Sequence, residues 1–335
     1  MNTAPIGDLS QILQRQARTA KAQAELNRLA DELSSGRKSD IGSSLRGNFS
    51  ELSSIERGLK VTETYRIAAE SAGSYFSAMQ DLLQSMEDTT GRASVDILAA
   101  ATRGQRSEIM TTLGSSEDAL SASVSALNQR IFGRSAFAGT ATDQPALISS
   151  DQMLAELETA LVGVPDSASM IQIVDDWFML PGGGYEIDAY LGSLGAAPGF
   201  AINEDERVGS NITALDPGIR KQLSGLALSA LVAREVGPSD DASVTSLAEA
   251  AASRTLEGND KIIEIRSNIG IVEARIEQTL TRYQASETAL SIRRNDLVNA
   301  DPFQTATELQ DVESRLESLF LITARLSRLS LSEYL

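Results

Sequence analysis

The sequence predicts a mainly α fold: an elongated bundle of long antiparallel helices formed by the N- and C-terminal regions, with a small inserted α+β domain and terminal coiled-coil segments. Three observations predict it. Apolar residues recur at gaps of three and four over long runs near both ends of the chain, which lines one face of a helix. Aromatic residues are only 4% of the 335 positions although 42% are hydrophobic, a balance that favours thin helical packing over a thick core. Between about residues 141 and 240 the long periodicity gives way to short segments separated by glycine and proline.

The first helix spans residues 8–34. Asp8 caps it, Leu9, Ile12 and Leu13 open its apolar side, Ala17, Ala20 and Ala24 continue it, and Leu26, Leu29 and Leu33 close it. Alanine permits close helix approach but buries little area, so this helix is weak alone. Gly36 suits the left-handed position beyond a helix end. A polar stretch then leads to a helix from about Phe49 to Thr89. Its stripe begins with Leu52, Ile55, Leu59 and Thr62 and continues through Tyr65, Ala69, Ala72, Phe76, Met79, Leu83 and Met86 at coiled-coil spacing. Thr90-Gly91 predicts a break before another helix, from about Ser94 to Phe132, with Ile109, Leu113, Leu120, Val124, Leu127 and Ile131 apolar.

Gly133 to Thr140 reads as a turn and a short strand. Helices follow near 151–162 and 167–179, then a loop at Pro181-Gly182-Gly183-Gly184, and candidate strands at Tyr185–Tyr190, Phe200–Asn203 and Gly209–Thr213. Asp216-Pro217 starts a helix that reaches about Glu235. From Ala242 to about Val298 the pattern is helical again, with Ile262, Ile265, Ile269, Val272, Ile276, Leu280 and Tyr283 on one side. Asn299 and Ala300 interrupt it, and Asp301-Pro302 begins a last helix. Leu309, Val312, Leu316, Leu319, Thr323 and Leu326 form its stripe at gaps of 3, 4, 3, 4 and 3, widened by Ile322 and Leu329 on one side and Phe320 on the other. A lone helix cannot bury its own stripe, so this one needs a partner. The predicted segments are therefore 1–40, 41–140, 141–240, 241–299 and 300–335, with 141–240 as the insert.

The chain contains no cysteine and no histidine, which excludes a disulfide scaffold, a thiol nucleophile, a Ser-His-Asp triad and the usual zinc sites. Its formal charge is −17, against the basic face that nucleic acid requires. Residues 141–257 hold 18 Asp and Glu against 5 Lys and Arg, a net of −13 that leaves −4 for the rest. An acidic middle between nearly balanced ends suggests a solvated middle and ends that meet protein. No stretch approaches the roughly 20 apolar residues of a membrane span, so no membrane insertion is expected. Met1 to Ser10 lacks the layout of a cleaved signal peptide, so the chain stays in the cytosol or leaves by a route that needs none.

Chemistry-bearing residues are sparse. The pairs Asp175-Asp176 and Asp240-Asp241 read as solvated surface or helix caps rather than a metal or acid–base site. Pro181-Gly182-Gly183-Gly184 lacks the Lys-Ser/Thr of a phosphate loop and reads as a turn. Trp177 beside Phe178 and Met179 belongs to the insert's core. No catalytic, cofactor-binding or metal-binding residue is expected, and the chain is not expected to be an enzyme. The inner heptads suit an intramolecular bundle. The terminal ones, rich in small residues and outside that bundle, suit contacts between molecules. The candidate assembly interface is Leu9, Ile12, Leu26, Leu29 and Leu33 from the first helix with Leu309, Val312, Leu316, Leu319, Leu326 and Leu329 from the last.

Leu26-Asn27-Arg28-Leu29-Ala30-Asp31-Glu32-Leu33-Ser34-Ser35-Gly36-Arg37 resembles the N-terminal leucine-rich helix of the bacterial flagellin and hook-associated protein family. Gly133-Arg134-Ser135-Ala136-Phe137-Ala138-Gly139-Thr140 and the ending Ser330-Leu331-Ser332-Glu333-Tyr334-Leu335 are nearer that family's hook–filament junction members than its flagellins. The resemblance covers roughly 8–140 and 240–335. It departs after Gly36-Arg37-Lys38, where Ser39-Asp40-Ile41-Gly42 replaces the family's Asp-Asp-Pro/Ala-Ala stretch. The resemblance implies self-association in a ring or tube, with 1–40 and 300–335 as paired axial helices and 141–240 as a variable outer domain; the low buried area of the ends predicts rapid amide exchange there in the monomer, with 1–40 disordered. It implies other hook-associated proteins and flagellin subunits as partners. It also implies an extracellular place in the flagellum after type III export without a cleaved signal peptide, and a cytosolic export chaperone that binds the C-terminal region. A filament-forming flagellin with a reduced outer domain is the alternative, and an unrelated coiled-coil adaptor, or an enzyme with a novel acidic site, a third reading.

Overall fold

The computed structural model describes the backbone of residues 6–332 and the side chains of residue 10 and residues 13–325. The fold is mainly α. In chain order come α1 (Ile6–Ser35), α2 (Ile41–Ser44), α3 (Ser50–Arg103), α4 (Arg106–Leu113), α5 (Ser116–Leu127), β1 (Arg130–Ile131) and β2 (Arg134–Ser135). Then follow α6 (Ser150–Ala160), α7 (Ser167–Met179), a π-helical turn (Tyr185–Ala189), β3 (Phe200–Ala201), β4 (Arg207–Val208), α8 (Pro217–Ala233), α9 (Asp241–Val298) and α10 (Pro302–Ser332). β1–β2 and β3–β4 are separate antiparallel two-stranded sheets. The chain forms two compact units, residues 64–283 and residues 1–63 with 284–335.

Within 64–283, α3 and α9 run antiparallel. Tyr65 stacks on Tyr283 with ring centroids 6.4 Å apart, Gln80 donates to the Arg266 carbonyl at 2.7 Å, and Thr90 Oγ1 lies 2.9 Å from Asn259 Oδ1. As one partner's number rises the other's falls. The predicted stripe Ala69, Ala72, Phe76, Met79, Leu83 and Met86 is buried, and so are Ile262, Ile265, Ile269 and Ile276 facing inward from α9. One continuous apolar cluster joins them to Leu120 and Leu127 of α5, Leu154 of α6, Val174 and Phe178 of α7, and Leu223 and Leu231 of α8. α8 and α9 meet through two glycines. A Cβ on Gly225 would lie 2.3 Å from Thr255 Oγ1, and one on Gly258 would lie 2.4 Å from the Gln222 nitrogen. Neither position leaves room for a side chain.

Several local expectations are corrected. Thr90-Gly91 does not break the chain: α3 continues to Arg103 and stops at Gly104, whose φ of +71° terminates it. Thr90 is buried, its hydroxyl donating to the Met86 carbonyl at 2.8 Å. Continuing also buries Ile97, Ala100 and Ala101, which outweighs the roughly 1 kcal/mol cost of a mid-helix glycine. The single helix expected from Ser94 to Phe132 is instead the end of α3 followed by α4 and α5, and it closes into β1. Tyr185–Tyr190 is not a strand. The Tyr190 N–H reaches the Tyr185 carbonyl at 2.8 Å, and the fully buried Tyr185 donates its hydroxyl to the Ala214 carbonyl at 2.7 Å. The second strand of the later hairpin is Arg207–Val208, just before the expected Gly209–Thr213. Trp177 is half-buried, set edge-on to Phe178 at 4.7 Å and packed over Gly184, where a Cβ would come within 2.0 Å of its Nε1. Asp175 pairs with Arg254, and Asp240 caps α9 through the Ser243 N–H at 3.0 Å.

Candidate assembly interface

Residues 1–63 with 284–335 contain the terminal helices α1 and α10. Local chemistry sets their ends. Gly36, at φ +68°, donates its N–H to the Glu32 carbonyl at 2.8 Å and ends α1. Asp301 accepts from the N–H groups of Phe303 at 2.9 Å and Gln304 at 3.1 Å, and Pro302 opens α10. These two turns are joined. Arg37 and Asn299 form an antiparallel bridge, the Lys38 N–H donates to the Val298 carbonyl at 2.9 Å, and the Ala300 N–H donates to the Gly36 carbonyl at 3.1 Å. Lys38 Nζ adds a bond to the Leu297 carbonyl at 3.2 Å.

From that joint the helices run antiparallel, closing on Leu29, Val312 and Leu316, with Ala22, Leu26 and Leu309 packed around them. These are five of the interface residues named from the sequence, with Ala22 added. Leu319 is half-buried, and Leu33 is 39% exposed. The side chains of Leu9, Ile12, Leu326 and Leu329 lie outside the described residues. Glu32 takes the buried position beside Leu29 that Leu33 does not. Its carboxylate accepts from Arg28 at 2.6 Å and from the Ser39 N–H at 2.9 Å. Arg28 also forks onto Glu25, and that guanidinium holds the Glu25 carboxyl below its ordinary value. Thr305 is buried too.

The departure at Ser39-Asp40-Ile41-Gly42 has its own local order. Asp40 caps α2 by accepting from the Ser43 N–H at 2.9 Å, and the bonds from Ser43 hold its carboxyl below the ordinary value. α3 and α9 also meet in this unit. Arg293 bonds Glu51 at 3.2 Å, and a Cβ on Gly58 would lie 3.2 Å from Leu290 Cδ1.

Pairing α1 with α10 leaves much apolar surface uncovered. Leu13 on α1 and the consecutive Phe320, Leu321 and Ile322 on α10 are all more than half exposed. One helix partner covers one side of each stripe, and Phe320, Leu321 and Ile322 of α10 still face outward. The arrangement is a seam suited to further helix packing, and its chemistry is burial rather than bond making. Among the described residues no group of three or more His, Cys, Asp or Glu is placed to hold a metal ion, and no helix is long and apolar enough to cross a membrane.

No family model and no curated protein matches the sequence. Among solved structures, a protein described as a flagellar hook-associated protein from Vibrio parahaemolyticus is similar to this chain in fold. It aligns with a TM-score of 0.51 and 17% identity over 73% of this chain and 95% of that one.

Proposed function

We propose that this chain is a structural subunit of the bacterial flagellum that joins hook to filament, assembling with neighbouring copies through α1 and α10. One observation carries the reading: the two ends of the chain pair around Leu29, Val312 and Leu316 while Leu13, Phe320, Leu321 and Ile322 stay uncovered. An apolar run of that kind on a terminal helix is expected to be buried by another molecule. The fold likeness to a hook-associated protein supports the same reading, as does the N-terminal leucine-rich motif. In this reading the protein self-associates in a ring or tube between other hook-associated proteins and flagellin. It is exported through the type III route, a cytosolic chaperone holding α10 beforehand, and its role is structural rather than catalytic.

The test is genetic and morphological. Deleting the gene should give cells whose hooks lack filaments and whose medium contains flagellin monomers. Hooks still bearing filaments would refute the junction role. Purified chain added to filament fragments should not extend them. Long filaments grown from those seeds would make it a flagellin with a reduced outer domain.

A further inference from the structure

A half-enclosed cavity of about 260 Å³ lies within residues 64–283. It is larger than the roughly 150 Å³ engineered cavity that takes up benzene. Tyr75 and Phe76 of α3, Ile131 of β1 and Phe200 of β3 line it. Tyr75 contacts Phe76 at 5.6 Å and Phe200 at 5.4 Å between ring centroids, so the apolar wall is continuous and pre-formed.

Three features of the β1–β2 hairpin distinguish this cavity from a packing flaw. Phe132 and Gly133 form its two-residue turn with φ of 51° and 75°, a geometry that favours Asn-Gly. A phenylalanine is strained there, and its ring is 67% exposed at the cavity rim rather than packed. Arg134, also on the lining, pairs with no carboxylate among the described residues, although the whole chain carries −17. Ser135 lines the same wall, and its buried Oγ has no hydrogen-bond partner. Buried polar atoms are rarely left without a partner.

We propose that this cavity is a binding site for a small aromatic or medium-chain aliphatic carboxylate. The apolar body lies against Tyr75, Phe76 and Phe200, Phe132 closes over it, and the carboxylate pairs with Arg134. The site is independent of the assembly role.

The full chain titrated with 4-phenylbutyrate and, separately, with 4-phenyl-1-butanol, followed by calorimetry, tests it. The acid should bind about threefold tighter than the alcohol, the difference an ion pair to the exposed Arg134 supplies. Arg134→Gln should erase that difference and leave the alcohol's affinity unchanged. Ala197→Phe, which fills the cavity from the half-buried Ala197 on its lining, should abolish binding of both. Phe132→Asn should raise the thermal midpoint by relieving the turn while weakening both compounds, which a purely structural Phe132 would not do. No heat from either compound up to about 5 mM, equal affinity for acid and alcohol, or full binding by Ala197→Phe would each overturn the proposal.

Discussion

Leu316→Ala tests whether the paired terminal helices are held together by their own seam. Leu316 is 4% exposed, and its apolar neighbours are Leu29 and Val312 rather than the core of residues 64–283. Buried Leu→Ala changes cost about 2–5 kcal/mol, and sites that can collapse onto the gap fall at the low end. A two-helix seam open on one side can collapse, so about 2 kcal/mol is expected, or roughly a 30-fold drop in the ratio of paired to open helices. Hydrogen exchange on the monomer reads this directly. In the wild type, amides of α1 and α10 should be protected far less than those of α8, which is buried along nearly its whole length. In the variant their protection should fall by about 30-fold, or to none. The thermal transition of 64–283 should move by less than about 2 °C, because a 1 kcal/mol loss in a unit of that size would move it by about 2–4 °C. A fall of more than about 4 °C with α10 still protected would refute the reasoning. Leu316 would then support the main core. Wild-type α1 and α10 as slow to exchange as α8 would count equally against unfinished ends.

Two further outcomes follow from particular contacts. Gly139→Ala should lower the main thermal midpoint by at least about 5 °C, the outcome to be read by calorimetry. Gly139 sits at φ +63°, and a Cβ there would lie 2.3 Å from the Ser193 carbonyl oxygen and 2.5 Å from that of Gly195, so strain of about 1–3 kcal/mol is joined by a backbone clash. Acid stability should depend on Glu186. The Gly182 N–H, and then the Arg220 guanidinium, hold its carboxyl below the ordinary 4.5. A depressed folded value contributes stability above the unfolded pKa that is lost as pH falls through the folded one. Glu186→Gln should therefore flatten the fall in thermal midpoint below about pH 4.5, and an unchanged acid slope would refute it.

What the sequence disclosed was local chemistry repeated at a period. α7 is found at Ser167–Met179, the span its pattern predicts, because Asp166 caps it by accepting from the Ser169 N–H at 2.8 Å. α10 begins where Asp301-Pro302 says a helix should begin. What it concealed was contact between segments far apart in the chain. Thr90-Gly91 looks like a breaker until Gln222 of α8 and Asn259 of α9 arrive. Gln222 Nε2 donates to Thr90 Oγ1 at 2.9 Å and to Asn259 Oδ1 at 2.6 Å. No periodicity shows that a glutamine in an apolar helix is answering a threonine more than a hundred residues away. Leu33 is the same lesson in reverse. It fits the leucine stripe, but Glu32 turns inward because Arg28 and the Ser39 N–H satisfy its carboxylate, and the face rotates by one position.

The motif around residues 133–140 joins these two kinds of information. Its Phe137 and Ala138 are fully buried, the Phe137 carbonyl accepts the Ala214 N–H at 2.9 Å, and the Ala138 carbonyl accepts the Ser193 N–H at 3.0 Å. The motif is thus a splice that ties β2 to the loop after the π-helical turn and to the segment leading into α8. Its composition follows from that position. Small residues flank one aromatic anchor, and Gly139 supplies the one backbone angle that lets two carbonyls approach. A sequence constrained in this way reports the packing of residues 64–283. The resemblance carried by this motif therefore bears on fold, whereas the proposed function rests on α1 and α10.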